Sequence, residues 1–512
     1  MHLKNYIILL LVFALSSCIS VKKYNEQQKV CIPPEKLKED VDFAYSRLKE
    51  THPQLYWYIS KKDLDYKFDS LKQTLKQPLT PLQFYFKLQP VIAGIREGHL
   101  SLRIPSKRIT KKEIKNLESK KGMFSRFGYY VEGNRLFIIE NKDSIQNIPP
   151  GTEILSIDKV PVSDYIGRYR KLISSDGFNT TFHPYYLKDV FFNYYVAEKG
   201  YEDRATIETL YQGQKKTYLL TRETKSESDL QQEKENKKRT QEKKVNDYIA
   251  FNNSYNRSFK FLDQDSTIAY IKVKSFSSDY SAKFYKETFS KIRKADSSYL
   301  IIDIRNNYGG SLEEINNLYS YLSPEPYTLI KPSQVTSATA PVKTNYFRKT
   351  GLLQYIVKTL TYPAFFFGQT FSTYKKDGQF YYKNKADKLS KPNKDVFTGK
   401  VFVLINGGSF SASSILAAKL KNDKRAVLVG EETGGANDGT VAGFYSYQML
   451  PNSKIDLPIG VLLVQPNINF TGTKKGVFPD ITLPETMQDL LSRQDPEMNW
   501  IQKEIAKEKE QK

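Results

Sequence analysis

The chain has 512 residues, 39% of them hydrophobic and 26% charged, which is too long for one ordinary core and apolar enough to fold as several globular domains. Lys and Arg outnumber Asp and Glu by 78 to 56, a net charge of +22, yet no nucleic-acid-binding motif accompanies the excess, so nucleic acid is not an expected partner. The two cysteines, Cys18 and Cys31, belong to no metal-spaced cluster, and neither a metal nor an organic cofactor is expected.

The first elements in chain order form an address. Lys4 precedes the apolar run from Ile7 to Leu15, which has signal-peptide length and falls short of the roughly 20 apolar residues that span a bilayer. It ends in Leu15-Ser16-Ser17-Cys18, which resembles the bacterial lipobox. The resemblance implies that residues 1–17 are removed, that Cys18 is lipidated, and that residues 18–33 tether a soluble body to a membrane of the bacterial cell envelope, periplasmic or outer-membrane associated.

From Glu35 the pattern turns helical. Leu37, Val41, Ala44, Tyr45 and Leu48 share one face, Phe68, Leu71 and Leu75 mark a second helix, and Thr80-Pro81 opens a third that carries Phe84, Leu88, Val91, Ile92 and Ile95. Residues 34–119 are therefore expected to form a small helical domain. Residues 120–225 read as short strands. Within them Gly151 to Val162, GTEILSIDKVPV, resembles the strand-turn-strand middle of a PDZ domain, which implies capture of an extended peptide at a sheet edge. Residues 226–247 are a charged linker or insertion, expected as a solvated helix or a flexible stretch. Residues 248–485 carry an α/β pattern with buried strands near 268–273, 299–304, 401–405, 426–429 and 461–464. Residues 333–398, rich in Lys and aromatics, are expected to be irregular and to cover the site, and 486–512 form a charged tail.

Three segments carry chemistry. In Val403-Leu404-Ile405-Asn406-Gly407-Gly408-Ser409-Phe410-Ser411-Ala412 a buried strand stops at a Gly-rich turn and a helix begins at a serine. That serine is either a cap or a nucleophile held where helix-terminal amides favour negative charge. In Asp303-Ile304-Arg305-Asn306-Asn307-Tyr308-Gly309-Gly310 a strand runs into paired glycines, whose backbone can approach an oxyanion. Arg96-Glu97-Gly98-His99-Leu100-Ser101-Leu102 holds one of only four histidines, and a serine nucleophile most often needs a histidine base. His52 and His183 each precede proline, which suits a turn.

As a set these segments resemble the tail-specific, or C-terminal-processing, serine peptidase family. The landmarks VGEETGG from Val429 and GVFPDITLP from Gly476 support the resemblance, which covers about residues 35–485. It implies an α+β multidomain chain: a small N-terminal helical domain, a PDZ-like β domain and a crotonase-like α/β catalytic domain. Ser411 would be the nucleophile, and Gly309, Gly310 and Ala412 would form the oxyanion hole. The branch with a Ser–Lys dyad carries its Lys just beyond the Gly-Glu-x-Thr-x-Gly stretch, where this chain has Ala436. The departure points to the histidine-using, tricorn-like branch and makes His99 the base, although that branch has Ser before the His and this chain has Gly98. Glu431, Glu432, Glu97 and Asp480 are the open choices for the acid that orients His99, with Glu431 preferred. The expected function is cleavage of a peptide or protein substrate. The alternative is an envelope lipoprotein that binds peptides or hydrophobic ligands on the same fold without cleaving them.

Overall fold

Residues with a hydrophobic face one helical turn apart open the fold, and each helix starts on a proline or a capping side chain. α1 (Pro34–Thr51) buries Leu37, Val41, Ala44 and Leu48, α2 (Lys61–Thr74) is capped by Ser60, and α3 (Pro81–Ala93) carries a full capping box between Thr80 and Gln83. The computed structural model describes residues 21–142, 147–243, 247–249, 254–276, 280–344, 346–348, 352–469 and 472–511. Cys18 and the expected signal segment 1–17 lie outside the described residues.

Strands β1 (Phe127–Glu132), β2 (Arg135–Asn141), β3 (Thr152–Ile157), β4 (Val160–Pro161), β5 (Arg204–Tyr211) and β6 (Gln214–Thr221) form one antiparallel sheet in the order β1-β2-β3-β5-β6, with β4 on β3. Helices α4 (Val162–Arg170) and α5 (Phe182–Lys199) cover it through an aromatic core in which Tyr165, Tyr169, Phe191 and Tyr195 are buried. Residues 226–247 hold a helix, α6 (Glu227–Lys243).

The second sheet is built from β7 (Arg257–Phe261), β8 (Ile268–Val273), β9 (Tyr299–Asp303), β13 (Lys400–Ile405), β14 (Val427–Gly430) and β17 (Ile481–Thr482), side by side in that order. All pairs are parallel except β7 with β8. Alternation explains its near-continuous apolar strands: Leu300, Ile302, Val401, Val403 and Ile405 face one core and Tyr299, Ile301, Phe402 and Leu404 the other. The first core is closed by α7 (Ser281–Lys294), α8 (Leu312–Ser320) and α10 (Ala412–Asn422), the second by α11 (Pro496–Glu510). The one polar residue of β9, Asp303, is fully buried between Lys272 at 2.8 Å and Arg305 at 2.9 Å. Burial alone would raise its pKa, but the two cations hold the carboxyl well below the usual range. Arg305 also reaches Asp495 and Glu497, which fastens α11 to the sheet.

Residues 333–398 are not irregular. They hold β10 (Ser333–Val335), the twenty-residue helix α9 (Leu352–Phe371), β11 (Thr373–Lys376) and β12 (Gln379–Tyr382). Pro363 inside α9 and apolar residues on both of its faces hide the helical period. The strands join β15 (Thr440–Met449) and β16 (Asp456–Val464) in a third sheet, β11-β12-β10-β16-β15.

Candidate active site

Ser411 sits where β13 stops and α10 begins, at the carboxyl-terminal edge of the parallel sheet. The turn is stapled to the neighbouring end of β9. Asn406 Oδ1 accepts from the Asn306 and Gly408 N–H groups at 2.9 and 3.0 Å, and the Ser409 hydroxyl donates to the Ile304 carbonyl at 2.8 Å. The Phe410 N–H and the Ser413 hydroxyl both donate to the Asn307 carbonyl. Held this way, Ser411 adopts φ +58° and ψ −120°, a region L residues rarely enter. Such a conformation costs on the order of 1–3 kcal/mol and persists only where the surroundings dictate it. It leaves the hydroxyl at the mouth of α10, beside the Ala412 N–H, a first-turn donor without an acceptor inside the helix. The Gly309–Gly310 turn lies against it: a Cβ on Gly309 would come within 2.7 Å of the Ser411 Cβ, and Gly309 has φ +97°. The Gly309 N–H, expected as an oxyanion donor, is already donating to Asn307 Oδ1 at 2.9 Å. Gly310 and Ala412 remain for that role.

His99 follows α3 and packs over this turn, its ring stacked on Phe410 with centroids 4.8 Å apart. Its Nε2 is 3.0 Å from Ser411 Oγ across 312 positions of sequence, and its Nδ1 is 2.9 Å from Thr440 Oγ1 across 341. The Thr440 hydroxyl donates to Glu97 Oε1 at 2.8 Å and also lies 3.2 Å from Asp176 Oδ1. Glu97 Oε1 takes a second bond from the Val441 N–H, and Asp176 Oδ1 takes one from the Gly98 N–H at 2.7 Å. A hydroxyl has one hydrogen. With that hydrogen on Glu97, Thr440 accepts from His99 Nδ1–H, and Nε2 is the basic nitrogen facing Ser411.

Both carboxyls are buried, Glu97 at 2% and Asp176 at 0% exposure. Burial and the neighbouring Asp176 push Glu97 well above the carboxylate range. Asp176 Oδ2 has no other hydrogen-bond partner, and a proton on Glu97 gives it one. A proton shared by the two carboxyls would leave a single negative charge behind Thr440. Burial lowers the pKa of His99, and Asp176 opposes that shift.

Glu431, the preferred acid, does not reach His99. Its carboxylate accepts from the Gly407 N–H at 3.3 Å and from the Tyr185 phenol, so it supports the turn before Ser411 instead. Glu432 accepts from Asn179 and the Gly476 N–H, and Asp480 from the Leu428 N–H and Lys421. Of the four acids considered, Glu97 is the one in the cluster. Asp176 and Thr440 escape sequence reasoning, because neither lies in a segment with a chemical signature. Glu97, His99 and Asp176 offer ligand atoms within 4.8 Å of one another, and the Thr440 hydroxyl bonds to both His99 and Glu97 inside that cluster.

Gly98 stands where the tricorn-like pattern has Ser, and the geometry explains the glycine. A Cβ there would come 2.6 Å from Phe410 Cζ and 2.8 Å from Asp176 Oδ1. The hydroxyl beside the imidazole is that of Thr440. Gly98→Ala should displace His99 and lower kcat/KM by about 10²-fold while the far-ultraviolet circular dichroism stays unchanged; steady-state assays on a peptide check this.

Residues 267–483, which include Ser411 and Thr440, match the family described as peptidase family S41. The chain is a serine peptidase, and residues 267–483 are the part similar to family S41. Mature CPAF shares the fold of this peptidase, with 17% identity over 90% of this chain and 95% of that one and a TM-score of 0.56. Mature CPAF complexed with lactacystin gives 16% identity over 90% and 96% of the two chains and a TM-score of 0.58. A search of curated proteins finds no match for the peptidase.

Proposed function

We propose that this serine peptidase hydrolyses peptide bonds with Ser411 as nucleophile and His99 as general base, and that it does so in the bacterial cell envelope. The observation that carries the mechanism is the continuous hydrogen-bonded line from Ser411 through His99 and Thr440 to Glu97. Ser411 Oγ attacks the carbonyl carbon of the scissile bond as His99 Nε2 takes its proton. The imidazolium so formed is stabilised by the single negative charge of the Glu97–Asp176 pair, conveyed through Thr440. The oxyanion is met by the N–H groups of Ala412 and Gly310, and loss of one such donor lowers kcat by about 10²- to 10³-fold. His99 then returns its proton to the leaving amine, which frees the carboxyl-side fragment and leaves an acyl group on Ser411. Water, deprotonated by the same nitrogen, releases that group.

The roles of the remaining parts follow from their chemistry. The sheet of β1 to β6 is PDZ-like in this reading and adds an extended peptide as a strand or gates its entry. The β7-to-β17 sheet with its helices is the crotonase-like catalytic layer. Cys18, as a lipidated residue, holds the body at a membrane. The deciding experiment is covalent: an active-site-directed phosphonate should label the wild-type chain at Ser411, as read by peptide mass spectrometry, and should not label Ser411→Ala. Equal labelling of both would remove Ser411 from the role, and tight binding of peptide without turnover would leave a binding protein.

A further inference from the structure

Between Glu325 and Asp377 the chain has no acidic residue and seven Lys or Arg. The centre of that acid-free stretch is α9, whose only charged residue is Lys358. One stripe of the helix is held by the protein: Tyr346 stacks on Phe365 with centroids 4.2 Å apart, Phe347 packs against Tyr355 and Tyr362, and the Lys358 ammonium donates to the Tyr346 carbonyl. The opposite stripe faces outward. Ile356, Leu360, Phe367 and Phe371, spaced four, seven and four apart, fall on one narrow face and are 50%, 77%, 58% and 72% exposed. A row of large apolar side chains left this open on an ordered helix calls for a partner.

We propose that α9 is a membrane-surface element, with its outward stripe entering the interface of an anionic bilayer and the flanking lysines contacting the headgroups. Three observations select this occupant. No described helix is long and apolar enough to cross a membrane, so α9 lies on the surface rather than through it. The flanking lysines, Lys343 before the helix and Lys375 and Lys376 after it, complement anionic lipid. A second copy of the chain, with the same net charge of +22 and the same lysines flanking α9, would be repelled. The mount also leaves the candidate active site accessible. Arg348 grips Asp456 and the Tyr447 ring at the hairpin end of β15 and β16, roughly 20 Å along the strand from Thr440. The inference stands apart from lipidation of Cys18, because it concerns a different segment.

The test is a fluorescence measurement on the full chain carrying Leu360→Trp, mixed with vesicles that contain phosphatidylglycerol and brominated acyl chains. The reporter should be quenched strongly, while the native Trp57 and Trp500 of the wild-type chain should not. Lys375→Glu with Lys376→Glu should weaken vesicle affinity by about 10-fold, and quenching should fall in purely zwitterionic vesicles and in high salt. These substitutions are at exposed positions, and circular dichroism checks the fold. Vesicle binding without quenching at residue 360, no binding, equal binding to zwitterionic vesicles, or lipid-free self-association that buries the reporter would each overturn the proposal.

Discussion

Ser411→Ala and His99→Ala should each lower kcat for a peptide by about 10⁴- to 10⁶-fold, and the double substitution should cost no more than the worse single one. The reason is that the two side chains act as one unit. Ser411 Oγ is a weak nucleophile until a base 3.0 Å away accepts its proton, and His99 has no other proton to take at that step. Removing either group removes the same event. Activity remaining after both are gone would come from the proposed oxyanion donors Ala412 and Gly310, whose action does not depend on what attacks. Single-turnover rates with an activated ester and with a peptide, measured for the four forms, check the prediction. Additive losses would mean that Ser411 and His99 serve separate steps, and an unaffected His99→Ala would give the base role to another group.

The parts of this site that a reader of the sequence can find are those in which one segment contains its own reason. Ser411 is visible because a strand of Val403 to Ile405, a Gly-rich turn and a helix adjoin in sequence, and their junction is the site. His99 is visible because histidine is scarce and this one lies in a recognisable stretch. Thr440 is a threonine at the start of a strand, and Asp176 is an aspartate in a loop. Both acquire meaning only when the chain closes, Thr440 across 341 positions and Asp176 against Gly98 across 78. Glu431 stands out through its place in a landmark segment, yet the parallel pairing of β14 with β13 sets it beside the Gly407 turn as a brace rather than a partner for imidazole. The α/β strands were legible because burial on both faces leaves continuous apolar runs, as in Leu300 to Ile302. Helix α9 was not, since its inner and outer stripes are both apolar and no polar face marks its period.

Replacing one carboxyl of the Glu97–Asp176 pair should matter little, and replacing both should matter a great deal. A pair that holds one proton has a charge of −1. In Glu97→Gln the amide keeps an oxygen for Thr440 and Val441, offers an N–H to Asp176 and leaves Asp176 as the one carboxyl of the pair. In Asp176→Asn the amide keeps an oxygen for the Gly98 N–H, and Glu97 ionises because the neighbour that raised its pKa has lost its charge. Each single variant therefore retains the −1 behind Thr440 and should keep kcat within about 10-fold of wild type. The double variant has no charge there, so the imidazolium loses its stabilisation and kcat should fall by about 10²- to 10⁴-fold. The pH profile separates this from damage to the fold. Catalysis needs neutral His99, and burial already lowers its pKa, so the acid limb of kcat/KM should lie below the ordinary histidine value of about 6.5. Asp176 is the group that opposes that shift, and without any charge on the pair the limb should move to still lower pH. Thr440→Ser should keep most activity and Thr440→Val should lose it, because the hydroxyl and not the side-chain bulk joins the charge to the ring. A limb that stays in place in the double variant, or single substitutions as damaging as the double, would mean that the two carboxyls do not share one proton and that His99 is oriented without their charge.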